Sequence, residues 1–188
     1  MRERLEGCFD AGVDASLAAL GDVDLGDQVG KYLADAHAIE EQALKLLERA
    51  AARDDGSLTG AYTMHLEETR GQAAALEARL DEVGRDPSTM KDALMRMGAV
   101  NWAAFFEAHP DTPGKLAAFA YAFEWLEIGG YEQLKRVAQR AGDTETEKLA
   151  ERILSEERAA QAKLWSLLPE AARLSLAEVG ASASRGSA

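Results

Sequence analysis

Four stretches of this chain place apolar residues at alternating steps of three and four, and each stretch carries one glutamate near its middle. That spacing marks one buried face of an α-helix. The first seam reads Leu33, His37, Glu40, Leu44, Leu47, and the second Tyr62, His65, Glu68, Gln72, Leu76, Leu80. The third reads Leu116, Ala120, Phe123, Glu127, Tyr131, Leu134, and the fourth Leu149, Ile153, Glu157, Ala160, Leu164. A helix with one apolar stripe must bury it against another helix, so four of them predict an all-α four-helix bundle.

Punctuation sets the order. The first periodic segment spans 27–53, and Asp54-Asp55-Gly56-Ser57 supplies a turn and a new N-cap. The second spans 58–83 and ends at Gly84, a suitable C-cap. Asp86-Pro87-Ser88 restarts the chain into a shorter helix, 89–108, expected to be a helical crossover between the second and third main helices. His109-Pro110-Asp111-Thr112-Pro113 breaks it. The third main helix spans 114–141, Gly142-Asp143-Thr144 caps the fourth, and Pro169 is expected to close that one after Leu168. The reading is one bundle over 27–168, a loosely ordered N-terminal arm over 1–26 and a flexible tail over 169–188.

If the helices pack side by side, Glu40, Glu68, Glu127 and Glu157 meet at one level, because each lies near the centre of its own helix. Burying four isolated carboxylates costs several kcal/mol each at the least, roughly. They could share protons, or bind cations; no basic residue lies on these seams to pair with them. Two divalent ions cancel four carboxylates, and carboxylate-rich helical cores with one or two histidines suit two iron or manganese ions. His37 and His65 each precede a seam glutamate by three residues, as Glu124 precedes Glu127, so each pair shares a face. His37 reads as a group supporting the site or as a hydrogen-bonded core histidine. Tyr131, one turn beyond Glu127, could bond a ligand, pass electrons or simply pack. Gly71, Ala160 and Gly129-Gly130 follow the acids within a turn; they either leave room for a small ligand or let helices approach closely.

The formal net charge of −12 excludes a nucleic-acid or acidic-membrane partner, since such affinity comes from lysine and arginine. Cys8 is the single cysteine, no apolar run reaches membrane-spanning length, and the first residues lack a signal-peptide core. A cytoplasmic protein is expected.

The segments Asp35-Ala36-His37-Ala38-Ile39-Glu40, His65-Leu66-Glu67-Glu68-Thr69, Glu124-Trp125-Leu126-Glu127-Ile128-Gly129-Gly130-Tyr131-Glu132 and Glu156-Glu157-Arg158 resemble the YciF-type ferritin-like family over 28–168. The resemblance implies a ferritin-like bundle, a bacterial stress association and a homodimer. It also implies a two-metal site at Glu40, Glu68, Glu127 and Glu157 with His65 and Glu124 as further ligands. Ferritin-like di-iron sites usually carry histidine three residues after glutamate in two helices, where this chain has Gly71 and Ala160. Two functions follow as expectations: a two-metal protein that oxidises ferrous ion or reacts with oxygen or peroxide, or a non-enzymatic stress-response bundle that binds no metal and acts by oligomerisation or partner binding. For the latter, Trp102, Phe105 and Phe106 would offer a dimer surface or else core packing.

Overall fold

The structure, a computed structural model, describes residues 24–53, 55–85 and 112–181. Most of the expected N-terminal arm lies outside these residues. So do the crossover helix with Trp102, Phe105 and Phe106, and His109.

The four main helices form as the periodicity predicts, and no strand occurs among the described residues. Helix α1 is Leu25–Ala51, α2 Ser57–Glu82, α3 Thr112–Ala141 and α4 Thr144–Glu178. The Asp24 side chain caps α1 by accepting from Gly26 N at 2.8 Å. Asp143 caps α4, accepting from Thr146 N at 3.0 Å. Gly84 and Gly142 follow α2 and α3 with φ of 71° and 70°, the left-handed geometry in which a side chain would be strained.

One boundary differs from expectation. Helix α4 does not stop at Pro169 but runs through it to Glu178. A proline inside a helix removes one backbone hydrogen bond and costs about 3 kcal/mol. Here the extra turns recover that loss by packing: Ala171 is fully buried, Ser175 Oγ accepts from Gly114 N at 2.6 Å, and Glu178 pairs with Arg53. The start of the expected tail is therefore part of the bundle.

Helix α1 packs on α2 and α3, and α4 packs on α3 and more sparingly on α2. Two apolar clusters give the direction of each helix. One joins Leu33 of α1 and Leu80 of α2 with Leu134 of α3 and Ile153 of α4. The other joins Leu47, Leu58, Leu116 and Leu164. So α1 and α4 run one way and α2 and α3 the other, and the α2–α3 connection must travel the bundle's length. Each fully buried leucine contributes about 1.5–3 kcal/mol, and Leu33→Ala or Leu116→Ala would remove about 2–5 kcal/mol. No helix among the described residues is long and apolar enough to cross a membrane.

Candidate metal centre

Between the two apolar clusters lies a polar layer. Glu40, Glu124, Glu127, Glu157, His65, Thr69 and Gln72 are all buried there. Their presence at mid-bundle follows from position along each helix: each lies between residues of one cluster and residues of the other.

His65 of α2, Glu124 and Glu127 of α3 and Glu157 of α4 converge, with one ligand atom from each lying within 4.8 Å of all the others. His65 Nε2 is 3.0 Å from Glu124 Oε1 and 3.8 Å from Glu157 Oε2. Its other nitrogen, Nδ1, is 3.4 Å from Glu68 Oε2. Gln72 Nε2 donates to Glu157 Oε1 at 2.6 Å and to Glu156 Oε2 at 3.0 Å. On the α1 side, the Tyr131 hydroxyl donates to Glu40 Oε1.

The sequence-predicted residues therefore divide. Glu127, Glu157, His65 and Glu124 come together. Glu40 is buried beside them, held by Tyr131, but outside the tight quartet. Glu68 is not on the inward seam; its side chain is 43% exposed. A step of three from His65 leads to Glu68 and a step of four leads to Thr69, and both rejoin the seam at Gln72. The structure takes the step of four, and Thr69 satisfies its own hydroxyl on the His65 carbonyl at 2.9 Å. The same ambiguity recurs in α3, where Glu124 is fully buried and Phe123 only partly so. The level ring of four seam glutamates is thus three glutamates and a histidine, with Glu40 alongside. His37 is buried on α1 with Nδ1 lacking a partner, and is not in the quartet. Gly71 and Gly129 are exposed and a Cβ there would meet nothing, so they carve no room in the site. Gln72 was legible only as a seam position, although a buried amide flanked by acids is the signal for a residue that orients a carboxylate.

Crowding governs the electrostatics. Burial, then the facing Glu124, pushes the Glu157 carboxyl up to about 10, against the pull of Gln72. Burial, with Glu40, Glu157 and Glu124 around it, raises Glu127 well above the usual range. Burial also raises Glu40, but the Tyr131 hydrogen bond and His65 hold it to about 7. His65 loses basicity to burial and regains more from Glu124 and Glu68, ending above its ordinary value.

The donor set fits a cation. Glu40, Glu124, Glu127 and Glu157 each keep one buried oxygen with no hydrogen-bond partner. Unpaired buried acceptors are costly unless a proton or metal meets them. Three carboxylates and one imidazole match the preference of iron, manganese or zinc for oxygen and nitrogen ligands. The chain thus has a four-helix fold with a buried carboxylate–histidine cluster that could bind metal.

Known proteins agree with this architecture. A family described as a domain of unknown function, DUF892, matches residues 27–177. Protein YciF of Escherichia coli (strain K12) is 30% identical over 146 residues, covering 72% of this chain and 84% of that one. The crystal structure of the Escherichia coli stress protein YciF gives a TM-score of 0.61 at 23% identity, covering 81% of this chain and 99% of that chain. A Xanthomonas campestris pv. campestris protein gives 0.67 at 24% identity, covering 84% and 99%. The Desulfovibrio desulfuricans bacterioferritin, studied for its diiron site in different catalytic states, gives 0.63 at 22% identity, covering 88% and 97%. These structures show that the fold is ferritin-like.

Proposed function

The chain belongs to the DUF892 family, and from that premise we propose that it is a ferritin-like metalloprotein that holds two iron or manganese ions and reacts with oxygen or peroxide in a stress response. One observation carries the reading: the quartet His65, Glu124, Glu127 and Glu157 is wholly buried, and its three carboxylates each retain an unpartnered oxygen. The quartet would hold the first ion. Glu40, whose charge raises the pKa of Glu127, would help to hold a second. When bound, iron or manganese supplies the electrons exchanged with an oxidant. The chain's own residues do the rest. Gln72 orients Glu157, Tyr131 orients Glu40, and the apolar clusters on either side keep bulk water from the layer. The stress role is supported by the relative described as a stress protein.

Elemental analysis of the purified chain, with an optical spectrum after ferrous addition in air, tests this. About two ions per chain and a new ferric absorption are expected. Less than one ion per chain, unchanged by His65→Ala, would defeat it. A second reading is favoured by one feature: with Glu157 pushed up to about 10, protons alone could keep the layer neutral. The protein would then be a structural bundle acting through partners, and elemental analysis separates the two.

A further inference from the structure

Resting on the metal reading above, we propose that divalent cations enter the buried cluster through a port between α2 and α4, with Glu68 and Lys163 at its rim. The two apolar clusters cap the layer along the bundle axis on both sides, and the α1–α2, α1–α3 and α3–α4 pairs all pack more closely than α2 and α4. Of the neighbouring helices, α2 and α4 touch least. At the level of the quartet they enclose a cavity of about 220 Å³ with Ala159, Ala160 and Leu164 on its wall and His65 at its inner end. Two larger cavities, at Gly114–Ser175 and at Asp24–Arg85, lie at the ends of the helices, away from the cluster.

The port exists because α4 presents alanines where α2 presents His65. Ala160 is a seam residue, yet it offers only a methyl group to fill the space facing His65. The volume is several times the roughly 30 Å³ of a water molecule, enough for a cation with part of its hydration shell. Glu68 then has a use that its exposure denies it as a buried ligand. It stands at the rim, 3.4 Å from His65 Nδ1, while His65 Nε2 is 3.0 Å from Glu124 on the inner side. A cation that sheds water onto Glu68 is one imidazole ring from the quartet. Lys163 is the single lysine or arginine lining the cavity, so its charge opposes cation entry.

The test plugs the port from outside. Ala159 is exposed, so Ala159→Trp adds bulk at the rim without repacking the core. In metal-free protein, peptide-resolved modification of His65 by diethyl pyrocarbonate should slow at least about fivefold in Ala159→Trp, while His37 reacts as before. Cobalt(II) uptake followed by stopped-flow absorbance should slow by about tenfold with the equilibrium affinity held within about twofold. Lys163→Glu should accelerate uptake several-fold at low salt and lose that gain at high salt. Wild-type rates for both His65 modification and cobalt uptake in Ala159→Trp overturn the port alone. A wild-type chain that takes up no cobalt overturns the metal reading and with it the cargo assigned here, whatever the histidine modification shows.

Discussion

The two halves of the polar layer are equally buried and differently solved. On the α1 side, Glu40 is 0% exposed and receives a tyrosine hydroxyl. On the α2–α4 side, Glu157 is also 0% exposed and receives the Gln72 amide. Burial and a donor are therefore common to both, yet Glu40 titrates at about 7 and Glu157 at about 10. The difference lies in the next neighbour. After burial, Glu157 meets Glu124, a like charge, whereas Glu40 meets Tyr131 and then His65, which both favour its ionised form. The quartet thus concentrates repulsion in one half of the layer, and that half is where a cation has most to relieve.

Metal affinity should divide along this line. His65→Ala or Glu127→Gln removes a member of the quartet and should weaken cobalt(II) or ferrous binding by at least about 100-fold, roughly 2.7 kcal/mol. Glu40→Gln should cost the tightest site only about tenfold, as loss of a neighbouring group does. Anaerobic titration calorimetry measures both. Equal losses in the two variants would erase the distinction between the halves.

The pH dependence of the metal-free chain is the next largest effect. A buried acid with a raised pKa keeps its proton in the native state after the unfolded chain has lost it. Between its ordinary value of 4.5 and its folded value, stability therefore falls as pH rises. The window ends near 7 for Glu40 and near 10 for Glu157. His65, also raised, adds stability that is full below its ordinary 6.5 and disappears as pH rises through its folded value, the same sign. Asp143, where the Arg79 and Thr146 hydrogen bonds outweigh burial, is lowered from 3.8 and acts only below this range. In chelator, melting temperature should fall by several degrees from pH 5.5 to 8.5. Glu157→Gln should flatten that fall more than Glu40→Gln does above pH 7. A wild-type profile that rises with pH would contradict the assignment of repulsion to the quartet.

How much of this was legible in the sequence depends on which physical rule decided each residue. Helix number and order follow from the seam period and from Gly84 and Gly142, and they were readable. The α4 seam was right at Ile153, Glu157, Ala160 and Leu164, but its first residue, Leu149, is only partly buried and Ala150 takes the inward position. Glu68 was misplaced because steps of three and four both lead from His65 to Gln72; only tertiary packing, which buries Thr69, decides between them. Glu124 was read from spacing as sharing a face with Glu127, and only family resemblance made it a ligand, because Phe123 competed for the seam position in α3. The Pro169 boundary failed because a local penalty was outweighed by burial of Ala171 and Ser175 against α3, which no local pattern reports.

Tyr131→Phe sharpens the α1 half at lower cost. The substitution keeps the ring and removes the hydroxyl, so Glu40 Oε1 loses its donor. Leaving a buried acceptor unpaired costs about 1–3 kcal/mol. The Glu40 carboxyl should also titrate above 7, since its main stabilising contact is gone. Denaturant unfolding at pH 6 and pH 8 reads both effects, with the larger loss at pH 8, where the native wild type holds more of Glu40 ionised. A variant as stable as wild type at both pH values would mean that the hydroxyl does not set the character of this half.

The smallest effect separates the layer from its outer wall. Gly71 lies on α2 just before Gln72, and Gly129 lies on α3 between Glu127 and Tyr131, so the sequence left both open as room for a ligand or as close helix contacts. Each is nevertheless exposed and inside a helix, with open space where a Cβ would stand. A glycine in such a place costs about 1 kcal/mol relative to alanine, through backbone entropy alone. Gly71→Ala and Gly129→Ala should therefore each raise stability by about 0.5–1 kcal/mol, nearly additively, because the two lie on different helices. Cobalt affinity should be unchanged in both, in contrast to Gln72 next door, where Gln72→Leu removes the donor to Glu157. If alanine at either position lowered metal affinity, the room for a ligand would reach the outer face of the helices and the site would be larger than the quartet and Glu40.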